Sequence, residues 1–193
     1  KDGDIDVLSG GFNNGKLIWS ENNGSESFTT HTISSSLTSF RRVRVADIDS
    51  DGDIDILTSN YDNSGNRDFS WFENNGSQSF TERVLKSGVS MNYGIYAADM
   101  NLDGDMDIIL LDGSDGVQWL DNNGSESFTN RRLKDLPLIE SFAAHEAVPI
   151  DMDNDGDIDI AAVGGYPGWT DGKIKWYENT TAKEVINGWE VTD

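Results

Sequence analysis

The chain has 193 residues, a formal net charge of −21 and no cysteine. Without cysteine it can form neither a disulfide nor a zinc–thiolate site, and no run of about 18 apolar residues predicts a membrane span. A nucleic-acid backbone attracts clustered lysine and arginine, so this charge also argues against nucleic-acid binding.

Two short basic groups interrupt the acidic background. They are Arg41, Arg42 and Arg44, and Arg131, Arg132 and Lys134. Neither group is large enough to follow a nucleic-acid backbone. We interpret both as strand residues that face solvent.

The first predicted element is an incomplete acidic loop, Asp2-Gly-Asp-Ile-Asp6. The pattern returns three times in full, as Asp47–Asp55, Asp99–Asp107 and Asp151–Asp159, and these copies begin 52 residues apart. Each full copy has Asp or Asn at positions 1, 3 and 5, Gly at position 6, and Asp at positions 7 and 9. Recurrence at a fixed period indicates a repeat protein.

Oxygen-bearing side chains at this spacing, with a glycine at the sharp turn, are typical of a calcium loop. We predict that the side chains at positions 1, 3, 5 and 9 and the backbone carbonyl at position 7 bind Ca²⁺. The predicted ligands are Asp47, Asp49, Asp51, Asp53 and Asp55; Asp99, Asn101, Asp103, Asp105 and Asp107; and Asp151, Asp153, Asp155, Asp157 and Asp159. Ordinary Asp–Gly turns do not account for three such copies. Mg²⁺ fits less well, because it requires a tight octahedron.

The loops are not equivalent. Neutral Asn101 reduces the charge in the third unit, so we expect the weakest of the three full sites there, and the first loop is expected to bind calcium poorly. The ions are expected to have a structural role, holding together the strands on either side of each loop. Ile54 and Ile56 are predicted to point into the sheet and to anchor the second loop.

Each unit contains four predicted strands in a constant order. Leading strands at 43–46, 95–98 and 147–150 precede the loops, and second strands at 54–57, 106–110 and 158–163 follow them. Third strands are centred on Trp19, Trp71, Trp119 and Trp176. Fourth strands run from Phe28, Phe80 and Phe128 to Ile33, Leu85 and Leu133. Asn-Asn-Gly-Ser segments between the third and fourth strands predict two-residue hairpin turns.

This pattern predicts an all-β chain of four-stranded antiparallel units, approximately 1–40, 41–92, 93–144 and 145–193, in a single region. One such sheet cannot bury its apolar face alone, so the units must pack on one another, and a β-propeller is the best fit. The tryptophan of each unit then packs between neighbouring blades. A ligand-stacking role for these tryptophans is the alternative.

The string Val45-Ala-Asp-Ile-Asp-Ser-Asp-Gly-Asp-Ile-Asp-Ile-Leu57, followed by Trp71-Phe-Glu-Asn-Asn-Gly76, resembles the FG-GAP/VCBS-type repeat. The resemblance covers essentially the whole chain and is closer to the bacterial branch. It implies calcium-loaded propeller blades, as in integrin alpha-subunit heads and many secreted bacterial proteins. Functions in that family range from adhesion and sugar binding to polysaccharide lyases and dehydratases. The resemblance therefore predicts the fold of the chain and leaves its activity open.

Residues suited to catalysis are few. His31 and His145 are the two histidines, and we interpret both as surface residues, so we predict no catalytic residue. Exposed aromatics on Gly-rich loops, Tyr61, Tyr166 and Trp169, are candidates for stacking on a sugar or a partner side chain. The alternative is that they cap the ends of neighbouring blades.

The last unit allows two arrangements. Residues 186–193 either form the outer strand of the fourth unit, in a fragment of a larger propeller, or complete the first unit across a closed ring. We favour the first, and we expect that open sheet edges would permit self-association.

The function predicted from the sequence is a secreted or cell-surface, calcium-stabilised module for binding or adhesion, of bacterial type, that recognises a glycan or a surface protein. The alternatives are a non-catalytic part of a secreted carbohydrate-active enzyme and an architectural spacer of a surface protein.

Overall fold

The computed structural model describes residues 3–13, 15–113, 116–132, 144–164, 173–179 and 190–192. Within these ranges the chain is all-β, with four antiparallel sheets and no helix. The described part of the chain therefore offers no helix that could cross a membrane.

The strands follow one another within each sheet in chain order. The first sheet contains β1 (Val7–Gly10), β2 (Leu17–Asn22) and β3 (Phe28–Ser34). The second contains β4 (Ser39–Ala46), β5 (Asp55–Tyr61), β6 (Arg67–Asn74) and β7 (Phe80–Lys86). The third contains β8 (Asn92–Ala98), β9 (Asp107–Asp112), β10 (Gly116–Asn122) and β11 (Phe128–Arg132). The fourth contains β12 (Ala144–Ile150), β13 (Asp159–Gly164), β14 (Lys173–Glu178) and β15 (Glu190–Thr192).

Consecutive sheets pack face to face, and the described apolar core lies in three layers between them. Strand β9 explains the arrangement, because all of its residues are buried. Its alternate side chains point to opposite faces of the sheet. Ile108 and Leu110 join the core shared with the second sheet, whereas Ile109 and Leu111 join the core shared with the fourth. The sheets are thus the blades of a β-propeller, as predicted.

The tryptophan of the second blade is a packing residue. Trp71 is only 1 % exposed and lies in the core between the second and third blades, with Ile95 and Ile108. Its ring meets Phe128 of the third blade edge to face, with centroids 6.1 Å apart. Trp119 packs in the same way against the core between the third and fourth blades. The predicted structural role is therefore confirmed for these two residues.

The hairpins are longer than predicted. In the first blade the Asn23 N–H donates to the Ser27 carbonyl over 3.1 Å, and both Gly24 and Glu26 have positive φ. The expected two-residue turn is wrong. The Asn22 side chain accepts the Gly24 N–H, and the Asn23 side chain accepts the Ser25 N–H. These two Asx-type turns extend the connection. The equivalent hairpins of the second and third blades close with the same pattern.

The anchor of the second acidic loop also differs from the prediction. Ile56 is buried, as expected, but Ile54 is 51 % exposed. Strand β5 begins only at Asp55, so the in–out alternation of a strand does not apply to Ile54. Ile48, at loop position 2, is 1 % exposed and anchors the loop instead, and Met100 has the same role in the third blade.

The basic group on β4 does not simply face solvent, which corrects the sequence interpretation. Arg42 is 38 % exposed and forms a 3.3 Å ion pair with Glu146 of the fourth blade. Arg44 donates to the Tyr96 hydroxyl of the third blade over 3.1 Å. The leading strands of these blades are neighbours, so long side chains on β4 reach across to them.

Residues 190–192 settle one alternative left by the sequence. They pair antiparallel with β14, from Trp176 opposite Thr192 to Glu178 opposite Glu190. This segment is thus the outer strand of the fourth sheet. The arrangement in which it completes the first sheet is wrong.

The layered core predicts unequal costs for two substitutions near the second loop. Trp71→Ala should lower the free energy of unfolding by about 3–5 kcal/mol, because it leaves a cavity between two blades. Ile54→Ala should change it by no more than about 0.5 kcal/mol, because this side chain is exposed. Urea unfolding at saturating calcium measures both, and equal losses would contradict the assignment of Ile54 to the surface.

Candidate metal centres

The backbone of each full acidic loop bends at the same two positions. In the second blade Ser50 has a φ of 60° and Gly52 a φ of 89°. The second of these favours glycine, because a left-handed conformation costs a side chain energy. The bend turns backbone N–H groups inward, and Gly52 donates to Asp47 Oδ2 over 3.0 Å and Asp53 to Asp51 Oδ1 over 2.7 Å. The backbone thus orients the carboxylates before any ion binds.

The structure brings together the predicted ligands of two loops. Carboxylate oxygens of Asp47, Asp49 and Asp55 lie within 4.8 Å of one another. Those of Asp151, Asp153 and Asp159 form the same group in the fourth blade. In both blades these residues hold loop positions 1, 3 and 9, three of the four side-chain positions that the sequence assigned to a metal.

The carboxylate at position 9 is also the central hydrogen-bond acceptor of its blade. Asp55 is fully buried and accepts the Ile48 N–H over 3.0 Å and the Asn74 N–H over 2.7 Å. Asp107 and Asp159 accept the equivalent pairs over the same distances. Each of these aspartates therefore joins its loop to the hairpin that follows the tryptophan strand.

The asparagine that supplies this second N–H also links neighbouring blades. Asn122 of the third blade donates through Nδ2 to the Ile48 carbonyl of the second blade over 3.0 Å. Asn179 of the fourth blade donates in the same way to Met100 of the third over 2.9 Å. The backbone at loop position 2 is thus held from both sides.

Burial changes the acidity of these carboxyl groups. Desolvation raises the pKa of Asp55 from 3.8 to about 6, against the opposing effect of the hydrogen bonds from Asn74 and Ile48. Desolvation likewise raises the pKa of Asp107. The pKa of Asp49 is raised by burial, and by the neighbouring charges of Asp51 and Asp47. The loops therefore hold their charge at an energetic cost that a cation would relieve.

Two loops contain a carboxylate oxygen that is buried without a hydrogen bond. Asp47 Oδ1 and Asp151 Oδ1, both at loop position 1, have no donor within reach. A buried oxygen in this state costs free energy unless something else binds it. Because each belongs to a group of converging carboxylates, the donor set fits a hard, oxygen-binding cation.

The third loop is internally satisfied. Asp99 accepts N–H groups through both oxygens, from Asp103 over 3.1 Å and from Gly104 over 3.0 Å. The Asn101 amide donates to Asp103 Oδ2 over 2.9 Å and to Asp121 Oδ1 over 3.0 Å. The Asn101 amide thus engages one carboxylate oxygen of the loop and one of Asp121 on the neighbouring strand.

The incomplete first loop keeps the position-9 contact to the hairpin and replaces the loop N–H with a tryptophan indole. Asp6 accepts the Asn22 N–H over 2.8 Å and the Trp19 indole N–H over 2.9 Å. Both Asp6 and its neighbours are exposed in this blade. The contact between loop and hairpin thus does not depend on a full set of acidic residues.

Sequence reasoning missed an acidic residue next to each site. Oxygens of Asp49, Glu73 and the hairpin residue Glu126 lie within 4.8 Å of one another, as do those of Asp153, Asp155 and Glu178. Glu73 and Glu178 stand two residues after the tryptophans of their blades. The same offset gives Glu21 and Asp121 in the other two blades, and this regularity was a signal available in the sequence.

Each of these acids in the first three blades pairs with a residue of the outer strand. Arg83 contacts Glu73 at 2.5 Å and Glu126 at 2.9 Å, and its guanidinium lies 5.3 Å from the Trp71 ring centroid. Arg131 pairs with Asp121 in the third blade at 2.6 Å. In the first blade His31 takes this place: it stacks on Trp19 at 4.7 Å and contacts Glu21 at 3.0 Å. His31 is thus half-buried and packed rather than a simple surface residue.

The FG-GAP-like repeat family matches the chain three times, over residues 1–58, 55–110 and 99–162. The chain belongs to the FG-GAP-like repeat family. No curated protein and no solved structure matches it. The matched segments of this FG-GAP-like chain contain the incomplete loop and all three full acidic loops.

One of the predicted ligand-binding aromatics, Tyr61, lies at the end of its blade opposite the acidic loop. Tyr61 ends β5, and its hydroxyl accepts a 3.1 Å hydrogen bond from Arg67 Nε. That bond, with a further contribution from Arg41, lowers the pKa of Tyr61. Tyr166 and Trp169 lie outside the described residues.

The buried Asp55 predicts a pH dependence of the calcium-free FG-GAP-like chain. Because its pKa is raised from 3.8 to about 6 on folding, the folded state holds a proton that the unfolded state releases. This stabilising contribution is complete below pH 3.8 and is lost as the pH rises through about 6. The free energy of unfolding in chelator should therefore rise as the pH falls from 7 to 5.

Urea unfolding at pH 5, 6 and 7 in excess chelator measures this effect. Asp55→Asn should reduce the pH dependence, and Asp62→Asn, in an exposed turn, serves as the matched control. An Asp55→Asn variant with the full dependence of the natural chain would contradict the assignment.

Proposed function

We propose that this chain is a calcium-stabilised β-propeller module of an extracellular protein, and that it recognises a glycan or another surface protein. The observation that carries the calcium part is the pair of buried oxygens, Asp47 Oδ1 and Asp151 Oδ1, that lack hydrogen bonds at equivalent loop positions. Each faces converging carboxylates, which repel one another unless a cation lies between them.

Side chains at loop positions 1, 3, 5 and 9 and the carbonyl at position 7 would hold the ion in each full loop. Glu73 and Glu178 add a further acidic group beside the second and fourth loops. Such a set of oxygens suits Ca²⁺, which takes about six to eight ligands in flexible geometry, better than Mg²⁺. When bound, calcium supplies charge neutralisation and rigidity rather than a chemical step.

The consequence of binding would be structural. Asp55 joins the acidic loop to the hairpin, and Asn122 joins that loop to the next blade. An ion that binds only the folded loop stabilises the folded state by mass action. Calcium would thus strengthen the contacts within a blade and the contacts between neighbouring blades.

The extracellular location rests on the family and on the expected affinity. Extracellular calcium modules bind at about 10⁻⁴–10⁻³ M, concentrations that free calcium reaches outside cells. Recognition is assigned to the blade ends remote from the acidic loops, where Tyr61 lies. Loops at the end of a rigid scaffold are the usual position of binding residues.

Removal of calcium tests the metal proposal directly. Excess EGTA should lower the melting temperature sharply, because the acidic loops then repel without compensation. Calcium should restore the original temperature and equimolar magnesium should not, as measured by differential scanning calorimetry. An unchanged melting curve in EGTA would refute the calcium role.

The third loop should be the weakest of the three full sites, because the Asn101 amide already satisfies Asp103 and Asp121. Asn101→Asp removes these donors and adds a ligand charge, so it should raise the calcium affinity of this loop about tenfold or more. Isothermal titration of the natural chain and the variant measures the change. Asn130→Asp, on the outer strand of the same blade, is a matched control with the same change in charge. Finding the third site tightest in the natural chain would contradict the ranking.

A further inference from the structure

Three leading strands share a β-bulge at the same place. In β4 Phe40 pairs with Asn60 and Arg42 with Ser59, so Arg41 is the extra residue. In β8 the extra residue is Tyr93, between Asn92 and Gly94. In β12 the register shifts between Ala144 and Glu146, which gives His145 the same position. Bulges redirect a side chain and are common beside binding sites.

These bulges lie at the end of the blades opposite the acidic loops. Strand β4 starts at Ser39, passes the bulge, and ends at Ala46, directly before the loop. Tyr61 and Arg67 pair with each other where β5 ends and β6 begins, and thus belong to the same end as the bulges. In the second blade one end carries the acidic loop, whereas the other presents Arg41, Tyr61 and Arg67, next to Tyr93 of the third blade.

The side chains of this second end contact one another. Arg41 Cζ lies 5.5 Å from the Tyr93 ring centroid, and Arg67 Cζ lies 5.5 Å from that of Tyr61. Arg67 and Arg41 both act on the Tyr61 hydroxyl and lower its pKa. We call Arg41, Arg67, Tyr61 and Tyr93 the arginine–tyrosine patch.

Arg41 and Arg67 of this patch differ in their charge pairing from Arg83 and Arg131. The protein has 35 acidic and 14 basic residues, so a carboxylate partner is easy to find. Arg83 and Arg131 each pair with one. Within the described ranges Arg41 and Arg67 form no ion pair, and Arg67 bonds instead to the Tyr61 hydroxyl and the Ser90 carbonyl.

Two acids beside the patch, Glu146 and Asp62, have other partners. Glu146 accepts the Tyr96 hydroxyl and pairs with Arg42. Asp62 accepts the N–H groups of Ser64 and Asn66 within its own turn, over 2.8 and 2.7 Å. Arg41 and Arg67 are both half-buried, and neither guanidinium forms an ion pair with a carboxylate of the described residues.

We propose that the arginine–tyrosine patch binds an acidic glycan, with the sugar's carboxylate or sulfate held by Arg41 and Arg67 and its ring packed on Tyr61 and Tyr93. Planar guanidinium groups pair with such oxyanions through two parallel hydrogen bonds. Tyrosine contributes an apolar face and a polar tip, which suit a sugar ring better than an acidic peptide. This inference rests on the proposed recognition function and names its ligand class.

Isothermal titration of the full chain at saturating calcium tests the proposal. The probes are an oligosaccharide that contains glucuronate, its carboxyl-reduced neutral counterpart, and a sulfated oligosaccharide of equal length. We expect binding of an anionic probe that weakens as NaCl increases, and at least tenfold weaker binding of the neutral one. The comparison of carboxylate with sulfate identifies the anionic group.

The variants are Arg41→Gln and Arg67→Gln, with Arg131→Gln as the matched control. Each patch variant should weaken binding of the anionic probe about tenfold or more, because one charge-assisted contact is lost. Arg131→Gln removes an arginine that is paired with Asp121 and should leave binding unchanged. Melting temperatures of the same samples establish that each variant is folded, and two patch variants ensure that one unstable protein does not decide the result.

Three results would overturn the proposal. The first is a neutral probe that binds with the same affinity as the anionic one, and the second is an equal loss of affinity for the anionic probe in Arg131→Gln and Arg41→Gln. The third is hexaglutamate competing for the patch more tightly than the anionic glycan does. The melting temperature in EGTA, measured on the same preparation, reports separately on the calcium proposal. A chain that melts earlier in EGTA and binds the neutral probe independently of Arg41 would retain the proposed function while refuting the arginine–tyrosine patch.

Discussion

A buried carboxylate at the ninth position of each acidic loop joins parts of the blade that are distant in the chain. Asp55 accepts N–H groups from the loop, at Ile48, and from the hairpin, at Asn74. The carbonyl of Ile48 then accepts Asn122 of the next blade. Because both carboxylate oxygens are engaged inside the protein, loop geometry, hairpin position and blade contact depend on the same group.

The carboxylates of the acidic loops hold parts of the blade together, but their burial and mutual repulsion cost free energy. Burial raises the pKa of Asp55, and charges at Asp47 and Asp49 add repulsion. The blades compensate in part with backbone N–H donors and with Arg83, which approaches Glu73 beside the second loop. A calcium ion would complete the compensation. In the second blade the acidic loop lies at one end, and Arg41, Tyr61 and Arg67 lie at the opposite end.

Much of the fold could be predicted because each unit repeats short-range signals. Acidic loop, tryptophan strand and Asn-Gly hairpin recur in order, and the strands form where they were expected. Errors arose where the backbone departs from regular alternation. Ile54 lies just outside β5 and is exposed, and the side chains of Asn22 and Asn23 extend the hairpin. The bulge at Arg41 likewise has no local sequence signature, because it is defined by the register of the partner strand.

One part of the candidate sites was likewise predictable from the sequence, and another part was missed. Spacing alone was enough to predict which carboxylates of the second and fourth loops converge, since they are close together in the chain. Glu73 and Glu178 were missed because they belong to another strand and approach the loops only when the sheet forms.

The sequence by itself determined the repeat, the four-stranded units and the positions of the acidic loops, because all three depend on residues close together in the chain. Tertiary structure decided which oxygens remain unsatisfied and which blade contacts Asn122 makes. It also decided that Arg41 and Arg67 approach Tyr61, with no ion pair to a carboxylate in the part of the chain that the structure describes. These features depend on strand register and on packing between blades. Such long-range geometry brings together residues from different strands and blades, which local spacing does not reveal.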